Sequence, residues 1–94
     1  MPIAALREEI SRIDAQIIAL IAERQTVVRR IAQAKFNEGL PIHDEERTKQ
    51  VLEEAFNMAV EQKINPVLVR EIFSVLIAMS EERQRECSGE GNLP

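Results

Sequence analysis

The chain has 94 residues, a net charge of −4, a single Cys and neither Trp nor Tyr. At 45% hydrophobic and 30% charged residues it reads as one small soluble, globular domain. Only Gly39, Pro41 and Pro66 punctuate residues 3–88, whereas a β-sandwich or barrel needs a turn signal about every 8–12 residues, so an all-β fold is excluded and an all-α chain of three helices is expected.

The first helix is expected over Ile3–Phe36. Ile3, Leu6, Ile10, Ile13, Ile17, Leu20, Arg24, Val27, Ile31 and Ala34 follow alternating steps of three and four residues. That is a heptad seam, the pattern of helices packed side by side along their length. Gly39-Leu40-Pro41 ends the helix. The second helix starts at Asp44, an N-cap residue followed by two acids, and runs to Gln62, burying Val51, Leu52, Ala55, Met58 and Ala59. Asn65-Pro66 pairs an N-cap with Pro at the first helical position. The third helix then carries Val69, Ile72, Phe73, Leu76, Ile77 and Met79 and fades near Glu86. Residues 1–86 are thus read as the domain, and Cys87 to Pro94 as a disordered tail.

Length carries a further expectation. A helix of that span is roughly 50 Å long, whereas a compact chain of this size has a diameter of about 30 Å. The first helix would leave its Ile and Leu seam exposed unless a second chain covered it. An intertwined homodimer, with the long helices of two subunits packed together, is therefore expected.

Several function classes recede. An acidic chain with three aromatic residues is a poor general nucleic-acid binder. No apolar run approaches the roughly 18 residues of a membrane span, and the N-terminus has no basic segment leading into an apolar one. Cys87 has no intramolecular partner, which fits a reducing, cytoplasmic setting. His43 and Cys87 look incidental, with no neighbours at metal-ligand spacing, so neither metal nor cofactor is expected. There is no Ser/His/Asp set and no Gly-rich phosphate loop.

What stands out is polar residues on apolar stripes. Arg24 occupies a seam position. Lys35, eleven residues on, lies only about 20° around the helix from it. In the third helix Ser80 and Gln84 continue the face of Phe73 and Ile77. In the second, Thr48 lies within the buried face, with Arg47 at its edge and Asp44 one turn earlier. Each has a structural reading: Arg24 as partner of a core acid or a register residue, Lys35 as a helix-end cation, Ser80 and Gln84 as interhelical hydrogen bonds, Arg47 as a solvated charge. Together they describe a pocket of Arg, Lys and Gln suited to a dianion and to a developing oxyanion.

The segments LREEISRIDAQIIALIAER, IAQAKF and PIHDEER resemble the all-helical chorismate mutases of the AroQ class, over residues 4–86. The resemblance implies a domain-swapped dimer of three-helix subunits and rearrangement of chorismate to prephenate without a cofactor. It implies that Arg7, Arg24 and Arg47 hold the two substrate carboxylates, with Arg7 contributed by the partner subunit. Lys35 and Gln84 then hydrogen-bond the ether oxygen of the breaking bond, and Asp44 and Ser80 line the pocket. Gln84 needs no proton to donate, so no acidic optimum is expected. One position departs: many family members carry a Glu where this chain has Thr48, the Glu that meets the substrate hydroxyl. The related isochorismate-pyruvate lyases share the Lys/Gln pair and lack that Glu, and form the alternative reading. A helical dimerisation module is the non-enzymatic one.

Overall fold

The computed structural model describes residues 2–88. They form three helices, α1 (Ile3–Glu38), α2 (Glu45–Glu61) and α3 (Pro66–Ser88), with no strand among the described residues. The 36 residues of α1 span about 54 Å at the usual rise, and the longest dimension of the molecule is 55 Å. Its radius of gyration, 16.5 Å, exceeds the roughly 12 Å of a globule of this length. The absence of helix breakers before Gly39 has drawn the chain out into a rod.

Local chemistry sets each helix end. Gly39 sits in the left-handed region at φ 68°. Around it Leu40 N donates to Lys35 O (2.8 Å) and Gly39 N to Phe36 O (3.3 Å), which closes α1 in a Schellman turn. Asp44 Oδ1 accepts from Arg47 N at 3.1 Å and caps α2. The end of α2 repeats the Schellman bonds, Ile64 N to Ala59 O and Lys63 N to Val60 O. Here Lys63 takes the left-handed position at φ 59°, where an L-residue pays roughly 1–2 kcal/mol that Gly does not. Asn65 Oδ1 then accepts from Val67 N and Leu68 N at 3.0 and 3.1 Å, starting α3.

Packing centres on α3, which lies against both α1 and α2. The most buried apolar residues are small: Val28 and Ala32 of α1, Ala55 and Ala59 of α2. Small side chains let helix backbones approach closely, and Arg70 of α3 adds a cation–π contact over the Phe56 ring at 5.2 Å. One apolar residue expected inside is not: Met58 is exposed because it lies about 100° around α2 from Ala59, off the contact line. Ile72 of α3 is also exposed in the single chain. The third helix also continues through Cys87 and Ser88 instead of fading at Glu86. The rest of the expected tail, 89–94, lies outside the described residues. No described helix is long and apolar enough to cross a membrane.

Candidate functional site

A cavity of about 370 Å³ opens between the C-terminal half of α1, the loop before α2, the first turns of α2 and the C-terminal half of α3. This is within the usual range for a small-molecule site, about 300–1,000 Å³. Val28, Ile31, Val51 and Ile77 supply its apolar lining. Its polar lining contains Arg24, Lys35, Asp44, Arg47, Thr48, Ser80 and Gln84, every residue singled out from the sequence except Arg7. Arg7 is exposed on α1, about 25 Å along the helix from Arg24.

Arg24 is held by α3. Its Nη1 donates to Leu76 O at 3.2 Å and to Ser80 Oγ, while Ser80 Oγ donates to Leu76 O at 2.9 Å. The acid partner that the seam position allowed is not found: no carboxylate pairs with Arg24 among the described residues. Burial first, and then the nearby Arg47 charge, lower the Arg24 pKa. Both effects disfavour the cation, and the charge of an anion entering the cavity offsets both. The backbone carbonyl and hydroxyl hold the guanidinium in place without neutralising it.

Lys35, in the last turn of α1, donates from Nζ to Ile42 O at 2.6 Å. The ammonium has three protons, so this bond leaves donors for a ligand. Gln84 is buried, and its Oε1 has no hydrogen-bond partner among the described residues. A buried acceptor left in that state costs about 1–3 kcal/mol, which a ligand group that donates to Oε1 would offset, while the Nε2 protons are the ones that can serve a ligand acceptor. Asp44, Arg47 and Thr48 come from the start of α2, whose free N–H groups add positive potential at that end of the cavity. Thr48 is half-buried and uncharged, and its neighbour Glu46 stays out of the lining.

Two residues escaped the sequence reading. Glu81 lines the cavity, and its signal was present: Ile77, Ser80, Glu81 and Gln84 fall at i, i+3, i+4 and i+7, one face of a helix. His43, taken as incidental, is not. Its Nδ1 lies 2.8 Å from Glu81 Oε2 and its Nε2 lies 2.9 Å from Glu45 Oε2. The hydrogen bond with Glu81 first, then that with Glu45, raise the His43 pKa above its ordinary value. A loop residue has no periodicity from which such contacts can be read. Among the described residues no group of three or more His, Cys, Asp or Glu is arranged to hold a metal ion.

Comparison with known proteins places this architecture. The family model described as chorismate mutase type II matches residues 6–85. A chorismate mutase of Methanocaldococcus jannaschii is 31% identical over 84 residues, covering 89% of this chain and 85% of that protein. The bifunctional chorismate mutase/prephenate dehydratases of Buchnera aphidicola (subsp. Schizaphis graminum) and Escherichia coli (strain K12) are 33% and 29% identical, over 87% and 81% of this chain. The chain spans only 21% and 20% of those two longer proteins. The match runs from the second residue of the seam almost to the end of α3, through all three helices that build the cavity, and the chain belongs to the chorismate mutase type II family.

Proposed function

We propose that this chain catalyses the rearrangement of chorismate to prephenate, as an isomerase of aromatic amino-acid biosynthesis. The observation that carries the reading is the convergence of three cations, Arg24, Lys35 and Arg47, with the buried amide of Gln84 on one cavity. Chorismate carries two carboxylates and an enolpyruvyl ether. Arginines gripping both carboxylates fold the ether side chain over the ring, so the ends that must bond are held together. As the C–O bond breaks, negative charge grows on the ether oxygen, and Lys35 and Gln84 donate to it. The reaction is unimolecular and its electrons stay within the substrate. It asks the protein for no nucleophile and no cofactor.

The active form is an intertwined, domain-swapped homodimer in the cytoplasm. Supporting this is the seam of α1, where Ile3, Leu6, Ile10, Ile13, Ile17 and Leu20 are all between 44% and 64% exposed in the single chain. Six such residues in one row are a surface for a second helix. The partner's α1, laid along it, brings a third arginine, Arg7, to the cavity. Asp44 and Ser80 complete the lining, and Thr48 offers the ring hydroxyl a neutral partner.

Incubating the purified protein separately with chorismate and isochorismate tests the assignment. Prephenate from the first is the expected product. Salicylate and pyruvate from the second would transfer the assignment to isochorismate-pyruvate lyase. With neither product, the chain would be a helical dimerisation module.

A further inference from the structure

The loop between α1 and α2 is tied at two adjacent residues. At Ile42 the backbone carbonyl accepts from Lys35 Nζ, 2.6 Å away on α1. At His43 the imidazole bridges Glu81 of α3 and Glu45 of α2 at 2.8 and 2.9 Å. Glu81 stands in the same turn of α3 as Ser80 and Gln84. The carbonyl that orients the Lys35 ammonium is therefore held in place by a side chain one residue away, anchored to both other helices.

We propose that His43 is a positioning residue for Lys35, strapping the loop to Glu81 and Glu45 so that the Ile42 carbonyl aims the ammonium into the cavity. The role assigned to Lys35 rests on the reading above; the strap itself does not. Both ring nitrogens face carboxylate oxygens, and only the imidazolium can donate to both. Neutral imidazole has one N–H, so one carboxylate then faces a lone pair and that half of the strap is lost. The charged groups that act on the ring are Glu81 of α3 and Glu45 of α2; Lys49 of α2 acts in turn on Glu45. Asp44 adjoins His43 in sequence, Arg85 follows Glu81 by one turn of α3, and Lys35 of α1 is bonded to the neighbouring Ile42. The two bonded carboxylates act on it most strongly, and they raise its pKa. While the carboxylates are ionised the strap is complete below that raised value, and it loosens as pH climbs through it.

His43 is the only histidine in the chain, so its titration is directly visible by NMR. The expected result is a step in proton exchange at the 15N-labelled Lys35 ammonium, above the ordinary base-catalysed rise with pH, that follows the His43 titration and is abolished in His43→Ala. An exchange rate indifferent to the His43 titration would overturn the proposal whether or not the chain turns over chorismate. In activity, the flat profile that Gln84 alone implies gains a shallow acid-side preference: kcat is expected to fall about two- to fivefold as pH rises through the His43 titration, the scale of an exposed ion pair, with KM little changed. His43→Ala should show the reduced kcat at every pH. His43→Arg, permanently charged and able to donate to two carboxylates, should hold the high value across the range. A pH profile identical in wild type and both variants, with prephenate forming normally, would overturn the strap and leave the mutase assignment standing.

Discussion

The two halves of α1 carry one heptad pattern and live in different surroundings. Every described residue before Ile21 is exposed, including the whole isoleucine and leucine run. From Ile21 onward the helix meets α3, Val28 and Ala32 are buried, and Arg24 and Gln25 reach across to Leu76, Ser80 and Met79. The pattern is the same because the demand is the same: one stripe must be covered by another helix. What differs is what lies beside the stripe. In the second half α3 buries Val28 and Ala32, one position off the seam, while Val27 and Ile31 stay exposed along the cavity; in the first half nothing within the chain lies against it. The half beside α3 is also where polar residues interrupt the stripe. A seam that runs beside another helix of its own chain can line a cavity; a purely apolar seam with nothing beside it is an interface.

That contrast can be broken most completely from the exposed half. Ile10→Glu combined with Ile17→Glu places four like charges across the proposed dimer seam. Sedimentation should then show monomers, and chorismate turnover should vanish although neither residue touches the cavity. Lys35→Ala attacks the other half, and should lower kcat about 10²–10³-fold while circular dichroism and dimer mass stay unchanged. Near wild-type turnover in that variant would sink the role given to Lys35.

Smaller effects probe packing and turns. Ala59→Leu forces volume into the α2–α3 contact and should destabilise by about 1–3 kcal/mol in denaturant titrations. An equally large effect from Leu20→Ala in the isolated monomer would contradict the exposure of the first half. The two Schellman turns should respond with opposite signs. Gly39→Ala forces a Cβ into left-handed backbone and costs roughly 1 kcal/mol, although no atom beyond its chain neighbours lies within 4 Å of that Cβ. Lys63→Gly relieves the same conformation and should stabilise by a fraction of that, since Gly also gains freedom in the unfolded chain.

The smallest effect is the pH dependence of stability. The His43 pKa is raised from its ordinary 6.5, so its contribution is full below that value and is lost as pH climbs through the folded-state pKa. The Glu45 pKa is lowered from 4.5, chiefly by the hydrogen bond with His43. Its contribution is present above 4.5 and is lost as pH falls through the lowered value. The strap should therefore stabilise most between about pH 4.5 and 6.5, with Tm sloping away on both sides. In His43→Ala that window should flatten.

Much of this was legible in the residues. Asp44 and Asn65-Pro66 announced the starts of α2 and α3, because capping is chemistry between near neighbours. Arg24, Lys35, Ser80 and Gln84 announced themselves by interrupting stripes that were otherwise apolar. The end of α2 falls where the sequence reading puts it, with Gln62 as the C-cap, although Lys63 there takes a backbone conformation that Gly signals and Lys does not. Met58 stands exposed against expectation because apolar periodicity reports which face seeks cover and not how wide the covering helix is. Glu81 had the right spacing and was passed over as one more charge on a charged helix.

Three helices, the starts of α2 and α3 and an α1 too long for a compact monomer could be read from the residues alone, as consequences of local propensity and of 3.6-residue periodicity. Packing brought α3 against both other helices, anchored Arg24 on a hydroxyl and a carbonyl with no acid beside it, and joined Glu45 to Glu81 through His43. Those contacts span up to 56 positions of chain, and no local rule connects residues so far apart until packing has brought them together.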